Sequence, residues 1–439
     1  MRVSISVASL VVCVSALGKL EPPDGRVIVG FWFDGNPGNT NTSLSGGDSS
    51  SAVNKRIGLN AGAFQLVQAL PLKVPDSPTP LKNADGSANV DVLDDGTNAA
   101  LFLTVYPQNN DVADADIVAL ATQCQNITTR TGRDIFIRFG PEMNGDWFPY
   151  GNQPTQFISL WQRVHTTLNQ IVPNVAMVWS PSYNYNSYSA FWPGAEYVDW
   201  VGLSVYWKGT SADATDNQLC PDTYAAQIIN SDPGAFSEPT YGHFYNDYAV
   251  KYNKPFVVPE TGAAFQIKSI FNGVSSVADI GPGQAALQMS HWNSLLFNPA
   301  LRTQYPLFKM AISFEIYKIE TDGTYNGNNK SEWRDYRSTV EPQTLAQFSA
   351  GLRSLGDAAI WASPSGNGGL LGTANVNTSA VSVPSSTVSA VASSMSTAVK
   401  AADNGVTPTG AFSSAKSDVG RIHWEWGLVV VTLALTFGI

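Results

Sequence analysis

Basic charge is what this 439-residue chain has least of. Its 25 Lys and Arg stand against 35 Asp and Glu, a formal net charge of −10, and charged residues make up only 14% of the whole. No cationic patch is available to neutralise phosphates, which excludes nucleic acid as a partner. Cysteine is nearly missing: of 3 Cys, Cys13 falls in an N-terminal apolar stretch, leaving Cys124 and Cys220. Two thiols make no disulfide framework, though an oxidising compartment would allow one bridge between them. The 4 His are His165 and His291 on helical stretches, His243 near a loop, and His423 in the tail. No His-Glu-x-x-His or paired Cys/His spacing occurs, so no metal or other cofactor is expected. The glycine-rich phosphate loops of nucleotide-binding folds are missing too, as is any repeat of solenoid period.

What is present begins at the two ends. Arg2, an apolar run from Val3 to Val14 and the small-residue exit Val14-Ser15-Ala16 read as a secretory signal peptide over residues 1–18, too short to span a bilayer comfortably. At the far end Gly427–Ile439 reads GLVVVTLALTFGI, preceded by a polar spacer, Lys416–Glu425, and the small cluster Ser413-Ser414-Ala415. That order suits a GPI-anchor signal over residues 413–439. Residues 356–412 shift to Ser, Thr, Ala, Val and Gly and read as a disordered, O-glycosylated stalk. Sequons at Asn41, Asn126, Asn329 and Asn377 fit the same export route. The expectation is a folded unit over residues 19–355, secreted as a monomer and held by a GPI anchor to the outer leaflet of the plasma membrane or to the cell wall.

Within residues 19–355, eight short apolar runs alternate with amphipathic stretches. The runs start at Val27, Phe64, Ala100, Asp134, Asn174, Tyr197, Pro255 and Phe308. Helical periods fall at Asp114–Thr131, Thr155–Gln170, Phe244–Tyr252, Gln284–Leu296 and Thr344–Leu355. Strands that are apolar throughout indicate a parallel sheet covered on both faces. Eight such units predict an α/β fold, a closed (β/α)₈ TIM barrel, whose working residues stand at the C-terminal ends of the strands.

Read strand by strand, the fourth run ends IRFGPEMNGDWFPYG and brings Arg138, Glu142, Asn144, Asp146 and Trp147 to the rim. The seventh ends FVVPETGA and brings Glu260 and Thr261. Two carboxylates on one rim are what glycosidic cleavage needs, one to protonate the leaving oxygen and one to attack the anomeric carbon or activate water. The bland alternative is a pair of surface or salt-bridged carboxylates. Against it, both glutamates follow strongly apolar runs and sit beside Pro and Gly.

RFGPEMNGDWFPYG resembles the acid/base segment of glycoside hydrolase family 26, YVDWVGLSVYW its sixth strand and PFVVPETG its nucleophile strand. The resemblance implies a retaining enzyme with Glu142 as general acid/base and Glu260 as nucleophile, acting in endo fashion on β-linked polysaccharide, chiefly β-1,4-mannan. Mixed-linkage β-glucan and β-1,3-xylan are alternatives, as in remodelling of the cell's own wall; a non-catalytic glycan-binding wall protein is another. One departure stands out: Pro141 occupies the place of the family's usual His beside the acid/base. By resemblance Tyr206 would hydrogen-bond the nucleophile; otherwise it is a satisfied buried aromatic. Arg138 is either a positive charge beside Glu260 or a structural ion pair. Trp147, Trp179 and Trp207 are candidates for stacking on sugar rings. Glu315 and Tyr317, at the eighth strand, reach the mouth or its rim according to strand parity.

Overall fold

The computed structural model describes residues 17–35, 48–72, 91–183, 187–209, 216–230, 243–271, 273–325, 328–364 and 368–371. The eight apolar runs form eight parallel strands: β1 (Val27–Phe33), β2 (Ala63–Leu70), β3 (Ala100–Pro107) and β4 (Ile135–Phe139), then β5 (Ala176–Trp179), β6 (Trp200–Gly202, resuming as Val205–Trp207), β7 (Phe256–Ala263) and β8 (Phe308–Glu315). They pair in chain order, and β8 pairs with both β7 and β1, so the sheet closes on itself. The main helices are α1 (Ser50–Ile57), α2 (Asp114–Thr131), α3 (Pro154–Ile171), α4 (Gln284–Ser294) and α5 (Pro342–Ser354). Alternation of strand and helix around a closed sheet makes this a (β/α)₈ barrel.

Burial on both faces explains why the strands lack polar alternation. One parity, including Ile28, Phe102, Phe136, Trp200, Met310 and Phe314, fills the barrel interior. The other parity meets the apolar stripes of the helices in a larger cluster. Helix ends follow local chemistry. The Ser49 hydroxyl accepts from the Ala52 amide at 3.1 Å to start α1, proline opens α3 and α5, and Gly132 ends α2 in the left-handed region.

Two elements differ from expectation. The helix expected over Phe244–Tyr252 is a π-helix, Tyr245–Val250. Beyond the barrel, strands Phe265–Phe271 and Tyr317–Tyr325 continue almost directly from β7 and β8 and join Val274–Val277 and Asn328–Asp335 in a four-stranded antiparallel sheet at the mouth. Sequence reasoning missed this mouth sheet, although Asn326-Gly327 between two alternating runs is a strong hairpin signal.

The boundary placed at residue 355 falls short. Ala359–Ile360 pair with β1, the Leu371 amide donates to Asp134 at 3.0 Å, and the Gly368 amide to the Thr131 carbonyl at 3.1 Å. A small-residue composition looked like a linker, but backbone pairing makes no demand on side chains. The single disulfide does not form. Cys124 and Cys220 are free and buried in separate apolar clusters, and burial pushes each thiol up to about 12. The apolar run of the signal peptide, residues 413–439 and most of the stalk lie outside the described residues, as do the sequons at Asn41 and Asn377. Asn126 is exposed on α2. Among the described residues, no helix is long and apolar enough to cross a membrane.

Candidate active site

The segment after β4 turns sharply. Gly140 and Glu142 both have positive φ (48° and 56°), and a glutamate in the left-handed region is costly, by roughly 1–2 kcal/mol. The surroundings hold it there. The Glu142 amide donates to the Ser180 carbonyl after β5 at 2.8 Å, and Asn144 exchanges two bonds with Ser182, its side-chain amide donating at 2.9 Å and its oxygen accepting at 2.7 Å. Asn144 is therefore buried in a brace between two rim loops. Gly145 leaves room for the Trp147 ring: a Cβ there would lie 2.3 Å from a ring atom. Trp147 in turn donates its indole N–H to Glu142 Oε2 at 3.1 Å. Each letter of the Glu-Met-Asn-Gly-x-Trp stretch thus has a structural task, with Met143 buried in the core.

Glu260 reaches the same cleft by another device. Between Val258 and Thr261, β7 carries one residue more than β8 does between Ala311 and Ser313. On its other side, β7 carries one more between Val257 and Thr261 than β6 does between Gly202 and Val205. The extra residue is a β-bulge around Pro259, which has no N–H to give a ladder. The bulge re-aims the chain so that Glu260 faces the axis and Thr261 faces out. Arg138, pointing inward from β4, donates to Glu260 Oε1, and Tyr206 from β6 donates to Oε2 at 2.7 Å. The second guanidinium nitrogen bonds Ser204 at 3.1 Å, where β6 is interrupted.

A small cleft opens over these groups, lined by Tyr106, Pro141, Glu142, Phe148, Tyr206, Glu260 and Lys318. The two carboxyls are treated differently. Glu260 is 6% exposed and has a cation and a phenol on its oxygens. Glu142 is half-buried, and burial together with the charge of Glu260 pushes it up to about 7, against the pull of Arg138, the Trp147 hydrogen bond and Lys318. Burial, reinforced by the charge of Glu260, also raises Tyr106 and Tyr206 well above the usual phenol value, so both remain O–H donors. A carboxyl raised toward neutrality beside a second carboxyl is an arrangement acid/base chemistry uses.

The profile of glycosyl hydrolase family 26 matches residues 72–272, a span that holds both glutamates. This segment belongs to glycosyl hydrolase family 26. A mannan endo-1,4-beta-mannosidase of Bacillus subtilis is 25% identical over 150 residues, 30% of this chain and 41% of that protein. Mannan endo-1,4-beta-mannosidase A and B of Caldalkalibacillus mannanilyticus is 32% identical over 108 residues, 22% of this chain and 20% of that one. The chain thus spans less than half the length of these relatives. A modular endo-beta-1,4-mannanase from Cellulomonas fimi superposes with a TM-score of 0.46 at 15% identity, covering 78% of this chain and 74% of that one.

Within the family 26 segment, the structure brings Arg138, Glu142, Trp147, Tyr206 and Glu260 together, with Asn144 bracing the loop behind them. It leaves two predicted residues outside. Trp179 faces away from the axis, stacked 5.9 Å from Phe244 and edge-on to Trp192 at 4.9 Å. Trp207 also faces out, donating to the Gln218 carbonyl at 2.7 Å and packed on Tyr224. Parity is the reason: Val178 and Tyr206 take the inward positions, so their neighbours cannot. Trp147 does not line the cleft; its ring lies over Gly145. Glu315 faces outward and accepts from Ser313, Ser338 and Thr339, while Tyr317 packs against Trp333. Sequence reasoning missed Tyr106, Phe148 and Lys318. Tyr106 is recoverable from β3 parity and Phe148 from its place beside Trp147; Lys318 depends on the mouth sheet.

Proposed function

We propose that this protein is a retaining glycoside hydrolase that cleaves β-linked polysaccharide, β-1,4-mannan first, in endo fashion at the cell surface. The observation that carries the reading is the unequal pair on one cleft: Glu142, raised to about 7, facing Glu260, held by Arg138 and Tyr206. Glu142 passes its proton to the glycosidic oxygen as Glu260 attacks the anomeric carbon, and the carbon–oxygen bond of the leaving sugar breaks. A glycosyl ester forms on Glu260. Glu142, its proton already given to the leaving sugar, stays ionised once the Glu260 charge is gone. As a base it takes a proton from water, whose oxygen attacks the anomeric carbon, breaks the ester to Glu260 and releases the sugar with its original configuration. The similarity to two mannan endo-1,4-beta-mannosidases supports mannan as substrate. Pro141, which lines the cleft without a polar group, favours keeping β-glucan and β-xylan as a second reading.

Product analysis on mannan, lichenan, laminarin and xylan identifies the glycan. Purified Glu142→Ala and Glu260→Ala should each fold and lose turnover, and azide should revive Glu260→Ala with an inverted glycosyl azide as product. Full activity in either variant removes the two-glutamate mechanism. A wild type that binds a glycan and cuts none is a binding protein.

A further inference from the structure

The bulge that turns Glu260 inward leaves Thr261 facing outward, toward α4. There the Thr261 hydroxyl donates to the Val205 carbonyl at 2.8 Å and lies 2.8 Å from His291 Nε2. A carbonyl only accepts, so the threonine proton is committed to Val205, and the threonine oxygen must accept from His291. The geometry therefore fixes the tautomer: Nε2 carries the hydrogen and Nδ1 is bare, with the Cys220 sulfur 4.0 Å away. His291 is fully buried, and burial lowers it to about 3, so it is neutral throughout the working range. Two hydrogen bonds consequently clamp β6 to β7 from opposite sides of the wall. Inside, Tyr206 holds Glu260; outside, Thr261 holds Val205, one residue along on each strand.

We propose that His291 and Thr261 form a positioning unit that locks the bulge and so aims the Glu260 carboxylate from behind the barrel wall. This rests on the nucleophile role given to Glu260 above. Neither side chain touches the cleft; both act through the backbone of β7. An error of about 1 Å in a reacting group costs up to about 100-fold in rate, so a bulge freed on its outer side should lower kcat while leaving substrate affinity intact.

The test has two arms. In full-length protein labelled with ¹⁵N-histidine, the His291 resonances, assigned by their loss in His291→Gln, should show a protonated Nε2 and a bare Nδ1 unchanged between pH 5 and 8. Titration in that range, or a proton on Nδ1, overturns the relay. In kinetics on the glycan found in the product panel, His291→Phe should lower kcat about 10-fold or more with KM within about 2-fold. His291→Gln, whose amide N–H can reach Thr261, should recover most of that loss. Equal loss in the Phe and Gln variants, or wild-type kcat in His291→Phe, overturns the positioning role. A wild type inactive on every glycan instead sinks the hydrolase reading, and the NMR arm, which needs no substrate, still judges the relay.

Discussion

An ionised Glu142 costs this fold stability once the pH rises, and removing its charge should give that stability back. In the unfolded chain Glu142 titrates near 4.5, and in the folded protein at about 7. Below 4.5 both states hold the proton and the residue contributes nothing to the pH dependence. Between 4.5 and 7 only the folded state binds it, so stability falls as pH rises. Above 7 the full penalty is present, at most about 3 kcal/mol from that rise and about 2 kcal/mol once solvent reaching a half-buried group is allowed for. Glu142→Gln keeps the shape and the left-handed backbone but cannot ionise. It should match wild type at pH 4 and exceed it at pH 8 by about 2 kcal/mol, on the order of 4 °C in Tm for a domain of this size. Thermal melts of the two proteins across pH 4–9 read this directly. A gap that is constant with pH, or that closes as pH rises, would falsify the account of Glu142 as the strained member of the pair.

With Glu142 as the general acid proposed above, the basic limb of kcat/KM should fall near pH 7. Trp147→Phe, which deletes a donor to the ionised form, should move that limb upward by about half to one pH unit, and a downward move contradicts the hydrogen bond's role. Tyr206→Phe removes a phenol bond to a carboxylate, worth roughly 1.5–3 kcal/mol, and should cut kcat/KM by about 10- to 100-fold with the fold intact by circular dichroism. Gly145→Ala forces the Trp147 ring off its seat and should cost about 1–3 kcal/mol in denaturant melts together with the same upward limb shift.

The barrel was legible because its signal is redundant. Eight buried strands each declare themselves by composition, and α2 was placed at both ends by its own sequence. The pair Glu142 and Glu260 was legible because each ends such a strand. What the sequence concealed depended on registration. Trp179 and Trp207 carry the right chemistry one residue away from an inward position, and the bulge at Pro259 shows only when neighbouring strands are laid beside β7. Lys318 enters the cleft on a sheet that no barrel pattern predicts, and the backbone pairing of Ala359–Ile360 leaves no trace in side-chain composition.

The brace of Asn144 on Ser182, with the Glu142 amide on Ser180, bears on how this molecule fails when heated. A proton donor on a free loop would wander before the scaffold melts, and activity would fade ahead of structure. Here Glu142, the proposed donor, is stitched to the loop after β5, and Glu260 is tied to β6, so the gap between them is a dimension of the ring itself. Loss of turnover on heating should coincide with loss of the barrel, with no inactive folded stage in between.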